Sequence, residues 1–198
     1  MWEERFAKEG YLFGKEPVPF LIRHAGLFEK GQSVLSIAEG EGRNAVHLAK
    51  QGLDVTGVEF APSAVAKAKK LAAENGVSPT FIQSDLFSWE WPQGAFDITM
   101  GLFFQFTGPE QRDILWRNMR RATRAGGLVM IHGYTPEQLK HGTGGPPHAE
   151  NMYTPADFAE VFDGCDVLVC EEYEADQRSG SAHVGMSALI DFIARIPD

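Results

Sequence analysis

The sequence predicts an α/β three-layer sandwich built on a mostly parallel sheet. Three observations predict it. Apolar runs of strand length alternate with stretches of helical periodicity. A glycine turn separates the first strand from the helix that follows. The chain closes with two long strands too near each other for a crossover helix, which must therefore pair antiparallel.

Taken in order, residues 2–9 suit a short helix with Trp2 and Phe6 on one face. Residues 11–20 (YLFGKEPVPF) read as a loop running into a helix, with Pro17 or Pro19 in its first turn, where a missing N–H costs little. Phe20, Leu21, His24, Leu27 and Phe28 continue that helix, and Gly31 ends it. Val34, Leu35 and Ile37 form a buried strand. Gly40, Gly42 and Ala45 follow as G-x-G-x-x-A, and Ala45, Val46, Leu48 and Ala49 make the buried side of a helix. A second strand over 55–58 ends at Glu59. A helix over 61–75 stops at Gly76, its C-cap. The third strand, 80–83, runs into Ser84, Asp85 and Leu86. Residues 95–102 are nearly all apolar, as a parallel strand covered on both faces should be. A helix over 109–124 and a turn at Ala125-Gly126-Gly127 lead to a fifth strand, 128–133. The stretch 134–153 holds two Gly-Pro-rich turns and reads as an insertion without regular structure. Thr154-Pro155 is an N-cap and N1 pair for a helix to 162. Residues 165–173 and 181–195 are the closing strands.

The bulk numbers limit the function. A chain of 198 residues suits one domain. A net charge of −9 disfavours a nucleic-acid backbone or an anionic membrane surface as partner. No apolar run is long enough to span a bilayer, and the charged start MWEERFAKEG has no signal-peptide core, so a cytoplasmic protein is expected. Cys165 and Cys170 fall on opposite faces of a strand, which disfavours a disulfide or a metal pair. His141 and His148 are too loosely spaced for zinc, so no metal site is expected.

In such sheets the ligand lies beyond the carboxyl ends of the strands. Residues 38–42, Glu59, 84–86, 102–106 and 132–134 occupy those ends. Glycines there let backbone approach a ligand, and the helix after them offers N–H groups to a ligand anion. Glu59 can accept hydrogen bonds from both hydroxyls of a ribose.

These residues resemble a class I S-adenosylmethionine-dependent methyltransferase, nearest the small bacterial branch of the tellurite-resistance and thiopurine methyltransferases. The likeness rests on Tyr11, Phe13-Gly14, Pro17 and Phe20-Leu21, then AEGEGRNA (38–45), Glu59, SDL (84–86) and Gly126-Gly127. It implies a Rossmann-like methyltransferase fold, with a seven-stranded sheet of order 3-2-1-4-5-7-6 and strand 7 antiparallel. It implies S-adenosylmethionine as methyl donor and S-adenosylhomocysteine as product. It implies one domain over 1–198, with 1–30 as a cap over the cofactor and 134–153 near the acceptor. The cofactor contacts it implies are Tyr11, Phe13, Gly14, Ala38, Glu39, Gly40, Gly42, Asn44, Glu59, Phe60, Ser84, Asp85, Leu86, Gly101 and Phe103. The loop departs from the family's D-x-G-x-G-x-G-R-N. Ser36 stands where an acid is expected, Ala38 replaces the first glycine, and Glu39 is an added carboxylate. Glu39 is expected to take over contact with the methionine ammonium.

Methyl transfer asks for alignment and dryness, because the leaving group is a neutral thioether. Aromatic faces can hold the sulfonium, and Tyr11, Phe13, Phe103, Phe104 and Phe106 are candidates. A thiol or an oxyanion such as tellurite needs little help, whereas a phenol, alcohol or ammonium must lose a proton first. His183, His132 and Arg178 are the catalytic candidates, and Arg178 with His183 suits an anionic acceptor. A small-molecule acceptor, with the protein a monomer or homodimer, is expected. Two rivals share the glycine loop: a NAD-dependent oxidoreductase and a non-catalytic cofactor-binding module.

Overall fold

β1 (Ser33–Ile37) pairs in parallel with β2 (Asp54–Glu59), Ser33 opposite Asp54 and Ile37 opposite Val58. β2 pairs in parallel with β3 (Thr80–Gln83) from Thr56↔Thr80 to Glu59↔Gln83. β4 (Phe96–Leu102) pairs in parallel with β5 (Thr123–Tyr134), and β5 pairs antiparallel with β7 (His183–Arg195). β6 (Asp166–Ser179) completes a seven-stranded sheet of order β3-β2-β1-β4-β5-β7-β6. The order and the antiparallel seventh strand are those the resemblance implied. The structure, a computed structural model, describes residues 2–180 and 182–198, and of His183 the backbone alone. The chain divides into two compact units, Met1–Glu90 with Ser179–Ala182, and Trp91–Arg178 with His183–Asp198.

In the first unit α1 (Trp2–Phe6), α2 (Pro19–Arg23), α3 (Arg43–Lys50) and α4 (Pro62–Glu74) accompany the three parallel strands. Val34, Leu35 and Ile37 of β1 are buried, as are Ala45, Val46 and Leu48 of α3. α4 buries Ala64, Val65, Ala68, Leu71 and Ala72, the stripe its 3.6-residue period dictates. Gly42 has φ +88°, and a Cβ there would lie 2.7 Å from the Ala68 Cβ. The residue before α3 is glycine because the turn is left-handed and its backbone presses on α4. Phe6 packs with Ala61 and Ala64 under Trp2, Leu12 and Phe13.

The second unit holds α5 (Pro109–Ala122) and α6 (Pro155–Val161). Its core is aromatic. Trp116 stacks on Phe158 at 4.6 Å, and Phe158 on Phe192 at 4.1 Å. Asp157 fixes the start of α6 by accepting both the Thr154 N–H and hydroxyl, each at 2.7 Å. Its other oxygen takes the buried Arg112 guanidinium at 2.9 Å.

Several boundaries differ from expectation. The first helix stops at Phe6. The helix expected through Phe28 ends at Arg23 and continues as a 3₁₀ turn, Ala25–Leu27, where Gly26 weakens helical preference. Ala125-Gly126-Gly127 lies inside β5 as a bulge, since pairing jumps from Phe96↔Thr123 to Ile98↔Leu128. β6 begins after Cys165 and runs on past Tyr173 to Ser179. The 134–153 stretch contains two 3₁₀ turns, Pro136–Lys140 and Ala149–Asn151. The fully buried Gln138 amide organises it, donating to Thr143 Oγ1 at 3.0 Å and Gly144 O at 3.1 Å while accepting Ala188 N–H at 2.8 Å. Bonds of that kind leave no periodic mark in a sequence. No helix among the described residues is long and apolar enough to cross a membrane.

Gly42→Ala is expected to destabilise the protein by about 2–4 kcal/mol, combining a left-handed alanine with overpacking against Ala68. Chemical denaturation of the variant beside the parent measures it.

Candidate functional site

The first unit builds its strand-end site around Glu59. This residue closes β2, and its carboxylate turns toward the glycine turn. Oε2 accepts the Gly40 N–H at 2.8 Å and Oε1 accepts the Ala61 N–H at 2.9 Å. Burial pushes its carboxyl above the ordinary range, and the N–H groups of Ala61, Gly40 and Phe60 oppose the shift. Three N–H groups meet the four lone-pair sites of the two oxygens, so the carboxylate keeps acceptor capacity. A carboxylate fixed in this way fits a hydroxyl of a diol such as ribose. Phe60 beside it is 62% exposed, an aromatic face of this size left at the surface. At the end of β3, Asp85 Oδ1 accepts the Phe87 N–H at 2.9 Å, Ser84 N–H reaches Glu59 O at 3.0 Å, and Leu86 is buried.

The altered loop is held from within. Ala38 has φ +47°, a left-handed conformation that costs a non-glycine residue about 1–2 kcal/mol. Glu39 is buried. Ser36 Oγ donates to its Oε2, and the Ala45 N–H of α3 donates to Oε1 at 2.8 Å. Glu39 thus sets a carboxylate beside the Ser36 hydroxyl. Burial pushes the Glu39 carboxyl up to about 7, against the pull of Ser36, Ala45 and Arg43. The α3 N-terminus was expected to offer its N–H groups to a ligand anion; the Ala45 N–H already serves Glu39.

The rest of the motif holds the N-terminal segment. Glu41 is buried, accepts the Leu12 N–H at 2.7 Å and pairs with Lys67 at 2.9 Å. Arg43 Nη1 donates to Phe13 O at 2.7 Å. Asn44 Oδ1 accepts the Val18 N–H at 3.0 Å. Tyr11 packs on Val46, Leu71 and Ala72, and its hydroxyl donates to Lys67 O at 3.3 Å. Phe13 lies in the Phe6 cluster. A Cβ at Gly14 would come within 3.2 Å of Gly180 N, in the short Ser179–Ala182 stretch that belongs to this unit.

The second unit carries the other candidates. Gly101 sits where a Cβ would strike the Phe104 ring. Phe103 has φ +57°, and its ring lies 4.6 Å from that of His132 and 4.9 Å from that of Tyr134. His132 Nδ1 is 2.8 Å from Asp191 Oδ1, and both residues are almost wholly buried. Tyr173 donates to the same Asp191 oxygen at 3.0 Å. Asp191 and Tyr173 carried no signal in the sequence, because only the sheet register brings them to His132. Arg178 pairs with Asp176 at 2.9 Å, with its side chain 85% exposed. The His183 side chain lies outside the described residues. Among the described residues, no group of three or more His, Cys, Asp or Glu is placed to hold a metal.

Residues 34–127 match a family model described as a methyltransferase domain. Over 66 residues the chain is 39% identical to a 23S rRNA (uracil(747)-C(5))-methyltransferase of Pyrococcus horikoshii, covering 33% of this chain and 16% of that protein. Over 106 residues it is 37% identical to the thiopurine S-methyltransferase of Pseudomonas paraeruginosa, covering 52% and 47%. The chain therefore spans less than half the length of these curated relatives. Among solved structures it is similar to a SAM-dependent methyltransferase from Methanosarcina mazei, with a TM-score of 0.73 and 15% identity over 92% of this chain and 99% of that one. It is also similar to TehB from Haemophilus influenzae, with a TM-score of 0.71 and 17% identity over 90% and 62%. At these identities the structural likeness is one of fold.

The raised Glu39 carboxyl gives a pH test. Between 4.5 and about 7 the unfolded chain has released this proton while the folded chain holds it, so stability falls as pH rises through that window. Glu39→Gln keeps both partners satisfied and has nothing to titrate. The variant is expected to gain on the parent by a quantity on the order of 3 kcal/mol across the window. Urea unfolding of both proteins from about pH 4 to about pH 8 checks it; a gap that stays constant with pH rules it out.

Proposed function

We propose that this chain, which belongs to the class I S-adenosylmethionine-dependent methyltransferase family, binds S-adenosylmethionine at the strand ends of its first unit and methylates a small-molecule acceptor. The observation that carries the reading is the Glu59 carboxylate at the end of β2, fixed by the Gly40 and Ala61 N–H groups. When bound, S-adenosylmethionine supplies an electrophilic methyl group on a sulfonium. Glu59 accepts the ribose hydroxyls. Phe60, Ser84, Asp85 and Leu86 frame the adenine, and the Ala38–Gly42 loop follows the methionine part. The internal bonds of Glu39 support a role in shaping that loop. The bonds from Glu41, Arg43 and Asn44 support residues 11–18 as a cap over the donor, within a cap segment spanning 1–30. Gly101 and Phe103 are read as further donor contacts, and the 134–153 stretch goes with the acceptor.

For the acceptor, a thiol is favoured over an oxyanion. The oxyanion reading leaned on Arg178, whose guanidinium is occupied by Asp176 and stands in solvent. The name of the thiopurine relative carries sulfur methylation. One relative acts on ribosomal RNA by name, but a net charge of −9 disfavours a polyanionic acceptor here.

Calorimetric titration with S-adenosylhomocysteine and with NAD tests the reading. The parent is expected to bind the former and not the latter. Glu59→Gln is expected to weaken binding about 10- to 100-fold, the worth of hydrogen bonds to a charged group, with its circular dichroism unchanged. A parent that binds no S-adenosylhomocysteine, or a Glu59→Gln variant that binds as the parent does, overturns it.

A further inference from the structure

We infer that Glu39 is the residue by which the first unit tells the sulfonium donor from its thioether product: its carboxyl releases a proton when S-adenosylmethionine binds and keeps it when S-adenosylhomocysteine binds. The inference rests on the donor-binding reading above and deepens it.

Glu39 lies in the turn after β1 and is 6% exposed. Its N–H donates to Val58 O of β2 at 3.2 Å. Gly57 of the same strand makes room for its stem, since a Cβ there would lie 3.0 Å from Glu39 Cγ. The head of the side chain joins β1 to α3: Oε2 accepts the Ser36 hydroxyl and Oε1 the Ala45 N–H at 2.8 Å. The carboxyl is therefore walled off from water within the same turn whose Gly40 N–H holds Glu59. A glutamate head stays within about 5 Å of its own Cα. A cation resting along residues 38–42 is then within roughly 10 Å of this carboxyl, with protein between them. Across that gap a unit charge is worth on the order of tenfold in an equilibrium constant.

The surroundings leave the carboxyl easy to tip. Both of its hydrogen-bond donors are neutral. The charges that act on it are Arg43 of α3, which favours the ionised form, and Glu59 of β2, which opposes it. Ser36 of β1, Gly57 and Val58 of β2 and Ala45 of α3 bring no charge. Burial outweighs Arg43, and the carboxyl is pushed up to about 7. Glu41, two residues on, differs in having the Lys67 ammonium at 2.9 Å.

The two ligands differ in charge where Glu39 can feel it. S-adenosylmethionine carries a sulfonium, an ammonium and a carboxylate, one net positive charge. S-adenosylhomocysteine lacks the sulfonium and is neutral overall. A net cation beside Glu39 favours the ionised carboxyl and lowers its pKa below 7, so a proton leaves on binding and donor affinity rises with pH through that window. The neutral product exerts little such pull. Once the sulfonium charge is gone, Glu39 takes a proton back from water, and the product is held without that attraction.

Carbon-13 NMR of the full-length protein follows the Glu39 carboxyl, assigned through its backbone connections. Its midpoint is expected near 7 without ligand and with S-adenosylhomocysteine, and about one pH unit lower with S-adenosylmethionine. Calorimetry near pH 6.5, in two buffers of different ionisation enthalpy, should show about half a proton more released by the donor than by the product. From about pH 5.5 to about pH 7.5 the ratio of donor to product affinity should rise roughly five- to tenfold more in the parent than in Glu39→Gln. A midpoint that both ligands move equally, a midpoint that the donor leaves in place, or a Glu39→Gln variant whose ratio rises as the parent's does overturns the inference. A parent that binds neither ligand removes the reading beneath it.

Discussion

The Glu59 carboxylate is the constraint on which the first unit depends. One oxygen holds the Gly40 N–H and the other the Ala61 N–H, so one side chain joins the glycine turn after β1 to the start of α4. Those amides would otherwise face a desolvated carboxylate across a gap. Joined, they offset the cost of burying it, and the remaining lone pairs are aimed by backbone, which has no rotamers to lose. A carboxylate held in this way is a preorganised acceptor.

Around that centre the loop concentrates acidic groups in little space. Glu39, Glu41 and Glu59 are all buried, and each has found a different solution. Glu59 takes backbone amides from two elements. Glu41 takes a lysine and the Leu12 amide. Glu39 takes a hydroxyl and a helix N-terminal amide and feels the Arg43 charge, yet burial wins, so its carboxyl rises to about 7. The Ser36–Glu39 pair therefore holds a carboxyl whose charge is conditional on pH.

The legibility of this protein in its sequence divides along the same line. Strand periodicity, the glycine turn and Glu59 at a strand end are local features, and local spacing reveals them. The family likeness then supplied the sheet order, which spacing alone could not, since order depends on which strands pair. Long-range polar bonds were invisible. The likeness implies Asn44 as a ligand contact; the bond of its carbonyl oxygen to Val18 N–H, 26 positions earlier in the chain, left no mark in the sequence. The His132–Asp191 pair spans 59 positions and exists only because β7 runs antiparallel in one register. A shift of one residue would send Asp191 to the opposite face. The 134–153 stretch looked irregular for a related reason: the Gln138 side chain that orders it bonds to partners with no fixed sequence offset.

The division of chemistry between the residues has a physical basis. A sulfonium loses its methyl group as a neutral thioether, so the donor's surroundings need stabilise no developing anion and can be given over to grip and shape: glycine, backbone amide and carboxylate. Charge does develop on the other reactant when it is protic, because a proton must leave as the carbon–heteroatom bond forms. The second unit holds a buried imidazole, His132, whose Nδ1 lies 2.8 Å from Asp191 Oδ1 and 3.2 Å from Ile190 O, with the Phe103 ring against it. In the low polarity of that interior the hydrogen bond between the two side chains is stronger than it would be in water.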